Sequence, residues 1–275
     1  MELEFWKMSG AGNDFIVIDN RDGQLPEQGR KQLFSQWCRR GISVGADGVL
    51  LVEPSTRAHF RMRYYNADGR EAETCGNGSR CIARFAFLRG IAGPDMRFET
   101  LAGIYEAQVR GESVAVRMSD AHSLRLAIPV SGELFSGEVH FINTGVPHVV
   151  LFTNDLAHVP VAQIGQWLRY HELFAPAGTN VNFITIKGPN ALSVRTYERG
   201  VEAETLACGT GSIASAIVAA HLGKVTPPVA VETRSGDVLN IDFELTPLGA
   251  KHVLLEGPAR VVFRGYIELP PKRCI

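Results

Sequence analysis

The chain has 275 residues, of which 45% are hydrophobic and 21% charged, a composition typical of a globular protein that buries a sizeable core. At roughly 150 residues per domain, this length predicts two domains or one large one. The 28 basic and 29 acidic side chains give a formal net charge of −1. Because phosphate contacts need clustered lysine and arginine, this balance excludes a nucleic-acid binder that relies on bulk positive charge.

The apolar segments and the cysteine content favour a protein of the cytoplasm. Residues 1–5 are acidic and lack the apolar core of a signal peptide. The most apolar stretch, residues 213–222, is shorter than the roughly 20 residues that span a bilayer. Five cysteines, an odd number in a large chain, argue against a secreted disulfide framework. We therefore expect a cytoplasmic location, reduced thiols and no membrane partner.

Apolar periodicity and turn signals predict the same series of elements in both halves of the chain. In the first half, strands are expected at residues 15–19 and 60–65, a helix at 81–88, and strands at 96–100, 104–109 and 113–118. In the second half, strands are expected at 149–152 and 183–187, a helix at 213–222, and strands at 229–233, 238–243 and 251–256. A last strand over 260–269 is expected to return to the first half, because the second half already has its full set.

The two halves also share short sequence strings in the same order, which is the mark of an internal repeat. Both contain Glu-Ala-Glu-Thr followed by Cys-Gly-x-Gly-Ser, and the cysteines (75 and 208) are 133 positions apart. The strings that begin at Phe98 and Val231 share Glu-Thr and a later glycine at the same offset. The segment from Asn13 loosely resembles the segment from Asn180. We interpret these matches as two homologous halves.

The repeat and the element order predict an α+β fold with two pseudosymmetric domains. Each domain is expected to be a curved, barrel-like mixed sheet around one central helix, because a helix that is apolar on nearly every side is normally buried. We place the first domain at residues 1–118 together with the C-terminal strand at about 262–275, and the second at 119–261. The active site is expected in the cleft between the two domains.

The two repeated cysteines are the candidate reactive groups. Cys75 and Cys208 each precede Gly-x-Gly-Ser and a helix, so each thiol is expected at a helix amino terminus, where the helix dipole lowers a thiol pKa and can hold an anion. The alternative, two buried cysteines acting as small hydrophobes, does not account for the repeated glycines. Two opposed thiols suit inversion at a carbon that bears an acidic hydrogen, since one removes the proton and the other returns it.

The same helix starts are expected to stabilise the carboxylate of the developing carbanion. The backbone N–H groups of Gly76, Asn77, Gly209 and Thr210 would do this without a metal or a cofactor. The Gly-x-Gly strings lack the third glycine of a dinucleotide fingerprint and do not fit a P-loop. No Cys-x-x-Cys is present, which disfavours zinc and thioredoxin chemistry. We predict no metal and no cofactor, and interpret Cys38, Cys81 and Cys274 as structural.

Specific motifs make the sequence similar to the diaminopimelate epimerase family over essentially its whole length. They are Gly12-Asn-Asp-Phe15, Gly45-Ala-Asp47, Asn66-Ala-Asp-Gly69, Cys75-Gly-Asn-Gly-Ser-Arg-Cys81, Pro147-His148, Asn180-Val-Asn182, Tyr197-Glu-Arg-Gly200 and Ala207-Cys-Gly-Thr-Gly211. The resemblance implies a cofactor-independent epimerase of LL- and meso-2,6-diaminoheptanedioate, on the bacterial route to lysine and peptidoglycan. It also implies a homodimer. The other expected partner is a small-molecule substrate.

The resemblance also implies roles for individual residues. Cys75 and Cys208 would be the catalytic acid and base. His148 and Glu198 would tune the pKa values of the cysteines, with Glu198 also close to the substrate. The distal, non-reacting end of the substrate would be held by Asn13, Asn66, Asn180 and Arg199, since amides serve an ammonium or a carboxylate and a guanidinium binds a carboxylate in two places. Asn66 alone is also a good turn former.

Three alternatives remain beside this interpretation. A proline or hydroxyproline racemase shares the paired thiols but needs no distal carboxylate site, so Arg199 argues against it. A non-catalytic small-molecule binding protein would not need both cysteines at helix starts. A phenazine-biosynthesis-type isomerase lacks the cysteine pair. The chain departs from many members of the family at Gly48, where they have glutamine, and at Val146, where they have asparagine.

Overall fold

The computed structural model describes residues 2–72 and 75–269, and the chain divides into two compact units. Unit 1 consists of Met1–Val116 and Gly257–Ile275, and unit 2 of Arg117–Glu256. The divisions expected from the sequence lie after residue 118 and at about residue 262. Both units combine a mixed β-sheet with helices, so the expected α+β class is confirmed.

Unit 1 is built from the first strands of the chain and its last one. Its strands are β1 (Glu2–Gly10), β2 (Asn13–Asp19), β3 (Gly48–Glu53), β4 (Phe60–Asn66), β5 (Glu71–Ala72), β6 (Asp95–Thr100), β7 (Gly103–Arg110), β8 (Ser113–Arg117) and, at the end of the chain, β18 (Arg260–Glu268). Its helices are α1 (Arg30–Trp37) and α2 (Gly76–Leu88). The described ladders run in the order β18-β1-β2-β3-β4-β6-β7-β8, with β2/β3 and β4/β6 parallel and the other neighbours antiparallel.

Unit 2 repeats this arrangement with consecutive strands. They are β9 (His122–Ser131), β10 (Ser136–Asn143), β11 (Pro147–Phe152), β12 (Asn180–Gly188), β13 (Ala191–Glu198), β14 (Ala203–Thr205), β15 (Val229–Glu232), β16 (Val238–Thr246) and β17 (Gly249–Pro258). Its helices are α3 (Val161–Arg169), a short 3-10 turn (Glu172–Phe174) and α4 (Gly209–His221). The order is β9-β10-β11-β12-β13-β15-β16-β17, with β11/β12 and β13/β15 parallel.

The last strand of the chain completes unit 1. β18 pairs antiparallel with β1, where β9 pairs antiparallel with β10 in unit 2. Unit 1 is therefore a circularly permuted version of unit 2, with its first strand supplied by the end of the chain. The expectation that residues 260–269 return to the first half agrees with this pairing, in which β1 lies between β2 and β18.

The central helices lie inside their sheets. α4 is buried from Gly211 to Ala220 and contacts β10, β11, β12, β13, β15 and β16, so the sheet of unit 2 curves around it. α2 contacts β1, β2, β3, β4 and β7 in the same manner. A side chain at Gly10 of β1 would lie 2.9 Å from the Asn77 backbone oxygen, which shows how closely strand and helix approach. Ser212 and Ser215 bury their hydroxyls in α4 by donating to carbonyls one turn earlier.

Two helices on the outer faces of the sheets are not anticipated by the sequence analysis. α1 packs Phe34 and Trp37 into an apolar cluster with strand residues such as Ile16 and Leu51. α3 packs against strand residues of unit 2, and a Cβ at its Gly165 would lie 2.5 Å from the Tyr197 side chain. Both helices are short, with eight and nine residues, and lack a side-chain N-cap. Such segments carry weak local signals and are held by tertiary packing.

The sheet registers correct part of the repeat alignment. Phe15 pairs with Gly48 and His148 pairs with Asn180 in the parallel β2/β3 and β11/β12 ladders, so Asn180 corresponds to Gly48 rather than to Asn13. The two Glu-Ala-Glu-Thr strings are also displaced by two residues. Tyr65 pairs with Glu71, whereas Tyr197 pairs with Glu204.

Within the described residues, no helix is long and apolar enough to cross a bilayer.

The central helix of unit 1 offers a direct test of the fold. Ile82 is fully buried and Leu88, on the same helix, is 43% exposed. Ile82→Ala is expected to lower the free energy of unfolding by about 2–5 kcal/mol, because it leaves a cavity in the packed centre. Leu88→Ala, the matched control, should cost less than about 1 kcal/mol. Urea denaturation followed by circular dichroism measures both, and equal losses would contradict the central position of α2.

Candidate active site

Cys75 lies at the amino terminus of α2 and is its N-cap residue. Its backbone is extended (φ −149°, ψ 116°), and its sulfur accepts a hydrogen bond from the Gly78 N–H at 3.4 Å. The thiol donates to Oδ1 of Asn13 at 3.6 Å. The predicted position of this thiol at a helix start is thus confirmed. The first-turn N–H groups and the positive end of the helix dipole surround the sulfur, an environment that favours a thiolate or another anion.

Asn13 is held in one orientation by acidic neighbours. Its Nδ2 donates to Asp47 at 2.7 Å, so its Oδ1 is left to face Cys75 and the Asn77 amide, whose Nδ2 lies 3.4 Å away. Asp47 also accepts from the Asp14 backbone N–H at 3.1 Å. The carboxylate therefore determines which atom of the Asn13 amide is presented to the thiol.

Charged residues fix this part of unit 1. Lys7, which is almost fully buried, makes an ion pair with Asp14 at 2.7 Å and donates to the Gly45 carbonyl. Arg40 bridges Asp14 and Asp47. Burial raises the pKa of Asp14, but the hydrogen bonds from Arg40 and Lys7 outweigh it and lower the pKa to about 2. Asp14 is consequently ionised at neutral pH and anchors the loop that carries Asn13.

The other side of the α2 start is held by a buried arginine. Arg80 has no exposed surface, and its Nη2 donates to Oδ1 of Asn77 at 2.9 Å. Its Nη1 donates to the Gly76 carbonyl at 3.4 Å and its Nε to the Pro258 carbonyl at the same distance. Arg80 therefore fixes the Asn77 side chain. The backbone N–H groups of Gly76 and Asn77 lie at the start of α2.

Cys208 is the N-cap residue of α4, with extended backbone (φ −119°, ψ 111°). Its sulfur lies 3.4 Å from the Thr210 hydroxyl, and the Thr210 carbonyl accepts from Thr144 at 3.2 Å. A Cβ at Gly211 would lie 3.3 Å from the Cys208 Cβ and 2.3 Å from Oδ1 of Asn182. Gly211, the second glycine of Cys-Gly-x-Gly, is thus required because the Asn182 side chain lies beneath the first turn of α4.

His148 lies in the same unit and is completely buried. Its Nδ1 is 3.1 Å from Nδ2 of Asn182, and its Nε2 has no hydrogen-bond partner among the described residues. Burial, followed by the charge of Arg199, lowers the pKa of His148 to about 3. His148 is therefore a neutral imidazole at physiological pH, and its electrostatic link to Arg199 joins two of the residues singled out in the sequence.

Asn180 and Arg199 are brought together by strand pairing. Asn180 is buried, donates from Nδ2 to the Pro147 carbonyl at 3.0 Å, and accepts the Arg199 backbone N–H on Oδ1 at 2.9 Å. The Arg199 guanidinium donates to the Ala177 carbonyl at 2.8 Å. Glu198 accepts from the Thr205 hydroxyl at 3.0 Å. Asn180 therefore positions Arg199 in addition to any direct contact that it makes with a ligand.

Asn66 is placed differently from the other predicted residues. It ends β4 opposite Gly48, with its side chain exposed. Its backbone forms a turn with Arg70, and Gly69 occupies the left-handed region at φ +78°. A Cβ at Gly69 would lie 1.9 Å from the Lys31 carbonyl oxygen, so the glycine is obligatory. Asn66 therefore forms the turn that the sequence indicates, and its side chain is exposed.

The remaining cysteines are consistent with a structural role. Burial raises the pKa of Cys38 to about 11 and that of Cys81 to about 12. Both thiols are therefore protonated and inert at neutral pH. Cys274 lies outside the described residues.

Some residues of these clusters are not among the predicted site residues. Four of them (Asp14, Asp47, Arg80 and Asn182) occur in the quoted motifs, but their hydrogen bonds depend on residues that only the folded chain brings together. Thr196 carries no sequence signal that separates it from ordinary polar residues. In residues 2–72 and 75–269, no three His, Cys, Asp or Glu side chains are grouped so that they could hold a metal ion.

Solved structures with low sequence identity share the fold. A phenazine biosynthesis protein of the PhzF family from Bacillus anthracis aligns with a TM-score of 0.75 at 15% identity, covering 98% of this chain and 100% of that one. A hydroxyproline epimerase from Agrobacterium vitis aligns with a TM-score of 0.72 at 16% identity, covering 99% and 94%. At these identities the alignments establish the architecture and do not separate the activities of the two proteins.

Sequence relatives are much closer. A diaminopimelate epimerase of Hydrogenobaculum sp. (strain Y04AAS1) is 45% identical, with 95% of this chain and 97% of the relative covered. The diaminopimelate epimerase of Aquifex aeolicus (strain VF5) is 46% identical, with 97% and 98% covered. The family model described as diaminopimelate epimerase matches residues 5–124 and 140–262, which include both cysteine motifs. The chain therefore belongs to the diaminopimelate epimerase family.

Proposed function

We propose that this protein interconverts LL- and meso-2,6-diaminoheptanedioate without a cofactor, in the formation of lysine and peptidoglycan precursors. The observation that carries the proposal is the occurrence of a cysteine as N-cap of the central helix in both units. Relatives that cover nearly the whole chain bear the name of this activity. The reaction needs one thiol for each face of the α-carbon, and Cys75 and Cys208 would supply them.

The proposed reaction is a proton transfer between two thiols through the substrate. The thiolate of one cysteine removes the α-proton, and the thiol of the other donates a proton to the opposite face. Negative charge that develops on the substrate carboxylate is stabilised by helix-start N–H groups: those of Gly76 and Asn77 on α2, and those of Gly209 and Thr210 on α4. In the reverse direction the two sulfurs exchange the roles of acid and base.

Residues that surround the thiols tune and position them in this proposal. Asn13 presents an oxygen to the Cys75 thiol. His148 and Glu198 adjust the acidity of the cysteines. Arg199 binds the distal carboxylate. In support, the residue is half-buried and its backbone N–H donates to Oδ1 of Asn180. Asn66, with its exposed amide, contributes to the same end of the substrate.

Single replacement of either catalytic cysteine tests the two-thiol mechanism. Cys75→Ser and Cys208→Ser should each reduce epimerisation by at least about 100-fold, because a hydroxyl is a far weaker acid and base than a thiol near neutral pH. The assay follows α-proton exchange and epimer formation from LL-diaminopimelate in deuterated water, without added metal or pyridoxal phosphate. Cys38→Ser is the matched control and should retain the parent rate. Full activity in both active-site variants would disprove the mechanism.

The distal site separates this function from that of a proline or hydroxyproline racemase. Arg199→Lys should raise the KM for LL-diaminopimelate at least about tenfold, because lysine cannot bind the carboxylate in two places. Arg234→Lys, at an arginine paired with Glu204 in the same unit, is the control and should leave KM unchanged. Steady-state kinetics with diaminopimelate, proline and hydroxyproline measure the difference. Turnover of proline or hydroxyproline by the parent, with none of diaminopimelate, would favour the racemase alternative.

We also infer that two copies associate through β18. Its described ladder pairs it with β1, and its exposed side chains include Val262 at 57%, Phe263 at 46% and Tyr266 at 70%. An edge strand with apolar side chains is a template for pairing with a second chain. Substrate is the other expected partner, and a cytoplasmic location agrees with chemistry that needs reduced thiols.

Charged substitutions on β18 test the proposed homodimer. Val262→Lys combined with Tyr266→Lys should convert the dimer to monomer, because the lysines oppose edge-to-edge pairing and remove apolar contact. Val238→Lys, at an exposed valine of β16, is the control and should not change the assembly. Sedimentation velocity at micromolar concentration distinguishes the species. A parent that sediments as a monomer would refute the inference.

A further inference from the structure

A polar network centred on Asn182 lies beneath the first turn of α4. Asn182 is fully buried on β12, and its Nδ2 donates to the Val149 carbonyl at 2.9 Å. The same Nδ2 lies 3.1 Å from Nδ1 of His148. Its Oδ1 accepts the Thr196 hydroxyl at 2.9 Å. Every hydrogen-bonding atom of the amide therefore has a partner within unit 2.

The backbone determines which way the Asn182 amide points. The Val149 carbonyl oxygen can only accept, so the amide nitrogen, and not its oxygen, must face β11. That nitrogen has two hydrogens, one for Val149 and one directed at His148. Nδ1 of His148 must then be the acceptor. In a neutral imidazole the proton consequently resides on Nε2.

The surroundings of His148 keep the imidazole neutral. Burial lowers the pKa of His148, and the positive charge of Arg199 lowers it further. Its Nε2 is buried and has no hydrogen-bond partner among the described residues. A buried N–H group without a partner is destabilising, and an arriving acceptor would remove that cost.

Unit 1 has an apolar counterpart of this network. The sheet registers place Phe15 where unit 2 has His148, Leu50 where it has Asn182, and Tyr64 where it has Thr196. Phe15 and Tyr64 pack edge to face with ring centroids 6.0 Å apart. The polar network is thus not required by the fold, because the same positions are filled by aromatic and aliphatic side chains in the other unit.

The network is adjacent to the Cys208 site. A Cβ built at Gly211 would lie 2.3 Å from Oδ1 of Asn182, 3.3 Å from Oγ1 of Thr196 and 3.3 Å from the Cys208 Cβ. The Asn182 amide and the base of the Cys208 side chain therefore contact the same glycine. A change in the orientation of the Asn182 amide would reach the His148 imidazole through one hydrogen bond.

We propose that Asn182 is a positioning residue that fixes the tautomer of His148, so that the imidazole acts in the reaction as an Nε2–H hydrogen-bond donor and never as the base that removes the α-proton. This inference rests on the proposed epimerase function, but the protonation state of His148 can be measured separately from activity.

The first experiment determines the tautomer in the parent protein. Nitrogen-15 NMR of the histidine-labelled full chain, with His148→Gln used for assignment, should show a protonated Nε2 and an unprotonated Nδ1 from pH 6 to pH 8. A proton on Nδ1, or an imidazolium in this range, would overturn the proposal even if the chain is an active epimerase. An inactive parent with the expected tautomer would instead refute the proposed function and leave the assignment of the proton intact.

The second experiment replaces the positioning residue. Asn182→Leu copies the Leu50 of unit 1, whose Cδ2 would lie 3.2 Å from a Cβ at Gly78, so leucine is accommodated beneath a helix start. It should give mixed His148 tautomers and lower kcat at least about tenfold with a smaller change in KM, as the wrong tautomer does in other imidazole-dependent enzymes. Asn240→Leu, at an exposed asparagine of β16, is the control and should change neither.

The outcomes separate positioning from a merely structural role. An Asn182→Leu protein that keeps the single Nε2–H tautomer and the parent kcat would overturn the proposal. A protein that keeps the tautomer but loses activity would show that Asn182 acts in another way, which also contradicts it. If the variant does not fold, the NMR result for the parent alone decides whether Nδ1 of His148 is the acceptor.

Discussion

A helix that is buried from its first turn must find partners for its amino-terminal N–H groups, and this requirement organises both units. The first N–H groups of α2 and α4 have no carbonyl of their own helix to bind. The surrounding sheet supplies few acceptors, since its own backbone is committed to ladders. Each helix begins with a cysteine at the N-cap position, and in α2 the cysteine sulfur accepts the Gly78 N–H. The start of a helix is also a favourable place for an anion. A buried helix that begins with a cysteine is thus common to both units.

Closely similar backbones carry different side chains around the two thiols. In unit 1 the Asn13 amide faces Cys75, and its orientation is fixed by Asp47. In unit 2 the Asn182 amide supports His148 close to Cys208. The side chains around the two thiols have therefore diverged, although the order and direction of the strands are the same in both units.

At particular positions of the two units, the backbone leaves little or no room for a side chain, so glycine is required. Gly211 has no room for a Cβ because Asn182 lies directly beneath it, whereas a Cβ at Gly78 would meet Leu50 at 3.2 Å. The repeated Cys-Gly-x-Gly string therefore has a stronger steric cause in unit 2 than in unit 1. At Gly69 the cause is different, since the residue combines a left-handed backbone with a close approach to Lys31.

The sequence by itself determined the class of the fold, the central helices and the two thiols at their starts. These features depend on local patterns: apolar periodicity, glycine after cysteine, and strings repeated along the chain. The short outer helices, α1 and α3, were missed because their stability comes from packing against a sheet rather than from their own residues. The equivalence of Asn180 with Gly48, and not with Asn13, was decided by strand register, which depends on neighbours distant in sequence. For the same reason only the tertiary structure revealed that Asn182 contacts His148, 34 positions away, because a buried hydrogen bond between two strands leaves no periodic trace in either of them.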